Sequence, residues 1–204
     1  MKIVYILDFD YRDGKYAYVH KSYPEKFKLN LPRLTPLESL IKSMKSVRQF
    51  SQLPILLIAN ELPKEVNGIK NLKFEELYFD PYSERIPGLL DVPGDVLFVE
   101  HDIFFTKDIF SKFTKSWVNG GCSSEPFDFH GDLFFINRLD KTEFKNHYEK
   151  VYAMPFNPNE KCVFATNSAF KHIGAIREFD ILRYPQWNQE QYDCYGYHTH
   201  YDFK

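Results

Sequence analysis

Four uninterrupted apolar runs constrain this chain more than any other feature: IVYIL at 3–7, ILLIA at 55–59, VLFV at 96–99 and LFFI at 133–136. Each is too short for a buried helix and has no polar face, so each reads as a strand buried on both sides. A sheet built from such strands needs helices over both faces. The sequence supplies them. In LTPLESLIKSMKSVRQF (34–50), Thr35 caps, Pro36 suits the first helical position and Glu38 completes a capping box. Leu37, Leu40, Ile41, Met44 and Val47 then recur on one helical face.

The same reading extends along the chain. Residues 2–8, 53–60, 72–80, the stretch DVLFVEHD and 132–138 are strands, and SERIPGLLDV is a short helix or turn. Thr106 caps a helix in which Ile109, Phe110, Phe113 and Trp117 share a face. Asp140 and Glu143 form a second capping box, with Phe144, Tyr148, Val151 and Tyr152 along one side of its helix. The expectation is one α/β domain over 1–204, with a mostly parallel central sheet covered by helices on both faces.

Composition narrows the function. At 204 residues, 44% hydrophobic and 18% aromatic, the chain can bury a sizeable core. A formal net charge of −2 gives no general affinity for nucleic acid or anionic membrane. Cys122, Cys162 and Cys194 are odd in number and scattered, which reads as free thiols in a reducing compartment. The opening MKIVYIL reads as a strand rather than a leader, and no run reaches membrane-spanning length, so a soluble cytoplasmic protein is expected.

Two runs deliver paired carboxylates to their carboxyl ends, where ligands bind in such sheets. The first places Asp8 and Asp10 in ILDFD; the second places Glu100 and Asp102 in VEHD. The first pair resembles the nucleophile and acid/base of haloacid dehalogenase-like hydrolases. Tyr11-Arg12-Asp13 follow it, however, and the second strand ends in Ala59-Asn60 rather than a phosphate-holding Ser or Thr. In the second pair, residues two apart on a strand face one side, with His101 facing the other. Two hard carboxylate oxygens suit Mn²⁺ or Mg²⁺.

DVLFVEHDIFFTKDI resembles the DxD region of GT-A fold glycosyltransferases, with Glu100 in place of the first Asp. FHGDLFFINR resembles a later strand of the retaining glycogenin/galactosyltransferase-like branch, ATNSAF its following helix, and YHTHYD its C-terminal histidine segment. His130-Gly131 and Thr166-Asn167 depart from that branch's usual residues. The resemblance implies a GT-A-like, Rossmann-related domain that uses a nucleoside-diphosphate sugar.

It also implies roles. Asp102, with Glu100 and His200 or His198, would hold the metal on the diphosphate. Glu100 has the donor ribose as an alternative partner. Arg85 falls on the helix before the acidic strand, near the donor, and Asp8, Tyr11 and Arg12 fall in the loop that holds the nucleoside. Asp132 or Glu125 is the general base of an inverting enzyme; Asn167 or Gln189 steadies the sugar in a retaining one. The acceptor (glycan, protein, lipid or modified nucleic acid) is expected to meet the loops around 11–30 and 119–131. Three other readings stand beside this one: a dehalogenase-like phosphatase using Asp8 and Asp10, a nucleotidyltransferase, and a catalytically silent nucleotide-sugar-binding protein. The second usually carries a Gly-rich loop after the first strand, which YRDGKYAY is not.

Overall fold

The computed structural model describes residues 1–7, 35–77, 85–110, 113–119, 133–155, 158–178, 182–183 and 195–198. The apolar runs form β1 (Lys2–Leu7), β2 (Ile55–Ala59), β4 (Val96–Val99) and β7 (Leu133–Ile136). With β3 (Leu72–Glu76), β6 (Trp117–Asn119) and β8 (Ile176–Glu178) they make a seven-stranded sheet in the order β3-β2-β1-β4-β7-β6-β8. Strands β3, β2, β1 and β4 run parallel, β7 is antiparallel to both β4 and β6, and β8 is parallel to β6. A second sheet joins β5 (Ile103–Phe105), β10 (Gly196–His198) and β9 (Leu182–Arg183), in that order.

Alternation along the central strands divides the core into two layers. Ile3, Tyr5, Leu7, Leu97, Val99, Leu133 and Phe135 face α1 (Pro36–Phe50) through Leu40, Met44 and Val47. Val4, Ile6, Val96, Phe98, Phe134 and Ile136 face the opposite way. There they meet α2 (Arg85–Asp91), α3 (Lys141–Tyr152) and α4 (Pro158–His172) through Ile86, Leu89, Phe144, Tyr148, Ala169 and Phe170. Both faces of the central strands β1, β2, β4 and β7 are therefore dry, as the continuous apolar runs require. Edge strand β3 exposes Lys73, Glu75 and Glu76, charges that discourage pairing with another chain.

Two sequence expectations fail in detail. The described residues between Thr106 and Ser116 form no helix, and Trp117 opens strand β6. Thr106 and Lys107 both donate their backbone N–H groups to Tyr195 O (2.9 and 3.3 Å), and Asp108 Oδ1 accepts from Phe110 N at 2.7 Å, a local turn that competes with a helix. Asp140 does precede α3, but its side chain makes no cap bond. Its Oδ2 instead accepts from Ser116 Oγ at 2.5 Å, and Ser116 Oγ accepts from Asn137 N at 2.9 Å.

Candidate functional site

Strand β4 stops at Val99. Ile103 N then donates to Glu100 O (3.2 Å), closing a turn through Glu100, His101 and Asp102 before β5 leaves in the second sheet. This corrects the expectation that Glu100 and Asp102 share one face of a continuous strand. Both residues instead lie in a turn at the carboxyl end of β4. Glu100 is half-buried, whereas His101 and Asp102 are 4% and 2% exposed. His101 Nδ1 stands 3.8 Å from Asp102 Oδ1, so the imidazole faces the carboxylate rather than pointing away. A buried carboxylate is tolerated only where neighbouring charge or polar groups compensate for lost water.

Register carries more of the chain to the same edge. Val99 pairs with Leu133, the residue after Asp132, and β6 runs parallel to β4 and ends at Asn119. Strand β1 lies on the other side of β4, with Val4 opposite Phe98, and ends at Leu7, just before Asp8. Strand β10 runs antiparallel to β5, with His198 opposite Ile103, Tyr197 opposite Phe104 and Gly196 opposite Phe105. The C-terminal histidine segment thus enters the fold one residue from Asp102. Sequence reading missed Asn119, a polar side chain only 1% exposed at this edge. Its signal is an Asn that closes a short apolar stretch before Gly120-Gly121.

Among the expected site residues, Glu100 and Asp102 lie in the one turn that follows β4. Arg85 is the first residue of α2 and His198 the last of β10; only their backbones are described. Asn167 is half-buried on α4, in the layer opposite α1. Asp8, Asp10, Tyr11, Arg12, Glu125, Asp132, Gln189 and His200 lie outside the described residues.

The donor chemistry of the turn fits a hard divalent cation, because two carboxylates offer oxygens and one is held in a dry setting. Among the described residues no three His, Cys, Asp or Glu side chains converge as metal ligands. A cation held at the turn would need further groups to complete its shell. No helix among the described residues is long and apolar enough to cross a membrane.

No protein-family model matches the chain, and no curated protein matches it. Solved structures do. The apo form of the glycosyltransferase GlyE from Streptococcus pneumoniae TIGR4 superposes with a TM-score of 0.50 at 16% identity, covering 83% of this chain and 43% of GlyE. This chain therefore spans less than half of GlyE's length. A nucleoside-diphosphate-sugar pyrophosphorylase from Vibrio cholerae RC9 superposes with a TM-score of 0.52 at 16% identity, covering 88% of this chain and 91% of that one. At this identity the likeness is one of architecture: the chain has the Rossmann-like α/β fold that a glycosyltransferase and a nucleotide-sugar pyrophosphorylase also have.

Proposed function

We propose that residues 1–204 form one GT-A-like domain that moves a sugar from a nucleoside-diphosphate sugar to an acceptor hydroxyl with the help of Mn²⁺ or Mg²⁺. The observation that carries this reading is the acidic turn at the carboxyl end of β4, with the strand ending in His198 paired against the residues that follow it. Asp102, Glu100 and His200 or His198 hold the cation. When bound, it supplies Lewis-acid stabilisation of the departing diphosphate.

The remaining work falls to the chain's own groups. Arg85 adds positive charge near the diphosphate, and Asp8, Tyr11 and Arg12 hold the nucleoside. The acceptor hydroxyl attacks the anomeric carbon, the bond to the diphosphate breaks, and the hydroxyl proton must leave. Asp132 or Glu125 takes that proton if configuration inverts. If it is retained, as in the glycogenin-like branch, Asn167 or Gln189 steadies the sugar. Positioning and electrostatics supply most of the acceleration.

The match along nearly the whole pyrophosphorylase favours one second reading, a nucleotidyltransferase joining a sugar phosphate to a nucleoside triphosphate with release of pyrophosphate. The products separate the two. With a nucleotide sugar and Mn²⁺, a transferase leaks nucleoside diphosphate and free sugar. A pyrophosphorylase does nothing until pyrophosphate is added, and then makes nucleoside triphosphate.

The first experiment is a thermal-shift panel of nucleoside diphosphates and their sugars, with and without Mn²⁺. Stabilisation by one nucleotide whose metal dependence is lost in Asp102→Asn, with Asp8→Asn weakening nucleotide binding but keeping the metal dependence, is the expected result. A response that needs Asp8 and ignores Asp102 returns the chemistry to the dehalogenase-like reading. No response to any nucleotide removes the donor from the proposal.

A further inference from the structure

Helix α1 buries three serines, Ser39, Ser43 and Ser46, beside its apolar stripe of Leu40, Met44 and Val47. Buried hydroxyls are unfavourable unless they are bonded. Two of these have well-defined partners on β5. Ser43 Oγ donates to Ile103 O at 2.5 Å and is 2.9 Å from Tyr5 Oη of β1. Ser46 Oγ accepts from Phe105 N at 3.0 Å and donates to Ser43 O at 2.7 Å.

The geometry of β5 gives these bonds meaning. In a strand, the backbone groups of residues two apart point to the same side. Strand β10 takes the side of Phe104 and Thr106, since Thr106 N donates to Tyr195 O at 2.9 Å. Ile103 O and Phe105 N therefore point away from β10, into a place where a further strand would sit. Ser43 and Ser46 occupy it and do for β5 what a neighbouring strand would do. Ile103, held in this way, is also the residue whose N–H closes the turn on Glu100 O.

We infer that Ser43 and Ser46 are positioning residues for the acidic turn, fixing Asp102 against the C-terminal segment for binding of a divalent cation with a nucleoside diphosphate. This rests on the proposed function. Tyr5 ties the clamp to β1, so that strand and the turn carrying Asp102 share one hydrogen-bonded anchor on α1.

The test measures Mn²⁺ affinity by electron paramagnetic resonance in the presence of the nucleoside diphosphate that the thermal panel selects. The variants are Ser46→Ala, the double variant Ser43→Ala/Ser46→Ala, and Val151→Ala as a destabilising control in the opposite layer. The double variant is expected to bind Mn²⁺ about tenfold more weakly, as when an outer partner of a metal ligand is removed. Val151→Ala is expected to bind as wild type despite a lowered Tm. Should the double variant not fold, Ser46→Ala decides alone. Wild-type affinity in the serine variants, or an equal loss in Val151→Ala, overturns the inference and leaves the proposed function standing. A wild type that binds no Mn²⁺ overturns both.

Discussion

Two cationic side chains show how single residues set local stability far from the acidic turn. Arg48, in the last turn of α1, donates through Nη1 to Ser51 O (3.0 Å) and Leu53 O (2.9 Å), and through Nε to Lys70 O (2.8 Å). The planar fork serves the loops entering both β2 and β3, and lysine cannot reproduce it. Arg48→Lys should cost about 0.5–1.5 kcal/mol in urea unfolding, since the carbonyl bonds it loses are part-buried or exposed. Lys141 is buried at the start of α3, and its ammonium donates to Val92 O. Burial pushes its pKa down to about 8, against the attraction of Asp95 and Asp91. Between about 8 and the ordinary 10.5 the unfolded chain holds a proton that the folded chain has released, so stability should rise with pH across that window. Tyr5 works in the opposite sense. Burial raises its pKa above the ordinary 10.0, so the unfolded chain loses that proton first and stability should fall above pH 10. Urea unfolding against pH should show both contributions, Lys141→Met lessening the rise between about 8 and 10.5 and Tyr5→Phe lessening the fall above pH 10 relative to wild type.

Among the elements, α1 was legible because every signal for it is local. Thr35 Oγ1 accepts from Glu38 N (3.1 Å) and Glu38 Oε2 accepts from Thr35 N (2.8 Å), the reciprocal cap that the residue types announce. Thr35→Ala should cost about 1 kcal/mol of stability. Asp140 and Glu143 offer the same letters, but Ser116, distant in sequence, captures the aspartate. Asp140→Ala should therefore act through Ser116, and a double-mutant cycle of the two should show coupling on the order of 0.5–3 kcal/mol. The segment after Thr106 failed for a related reason. Ile109, Phe110, Phe113 and Trp117 keep the spacing of a helical face, and their burial is real: the rings of Phe113 and Trp117 stack with centroids 5.7 Å apart. The spacing recorded which residues face the core and not the backbone that carries them, which Tyr195, far along the chain, holds beside β5 through the N–H groups of Thr106 and Lys107. The apolar runs escaped this ambiguity: a short stretch with no polar face has few ways to be buried. Strands β6, β8, β9 and β10 are only two or three residues long, and pairing with distant partners defines them. The acidic pair was legible as residues, whereas the turn that presents them depends on that same pairing.

Across the whole molecule, the ends of β1, β4 and β6, the start of β7 and the C-terminal β10 converge on one edge, although they span the chain from Leu7 to His198. A ligand held by several of these segments binds only when all are in place, so its binding energy adds to the stability of the entire fold. At a nucleotide concentration one hundred times Kd this linkage amounts to about 2.7 kcal/mol. For a chain of this size that should raise Tm by roughly 5–10 °C. The C-terminal contribution can be separated from the rest. His198 is held in β10 opposite Ile103, while His-Tyr at 200–201 matches the metal-binding ending of the GT-A resemblance. We therefore expect His200→Ala to lose most of the Mn²⁺-dependent part of the shift, with the Tm of the ligand-free protein unchanged. His198→Ala should lower the ligand-free Tm slightly and keep the shift. Loss of the shift in His198→Ala alone would move the C-terminal ligand to that residue. Retention in both variants would mean that the cation is held by the acidic turn and the diphosphate without the C-terminal segment.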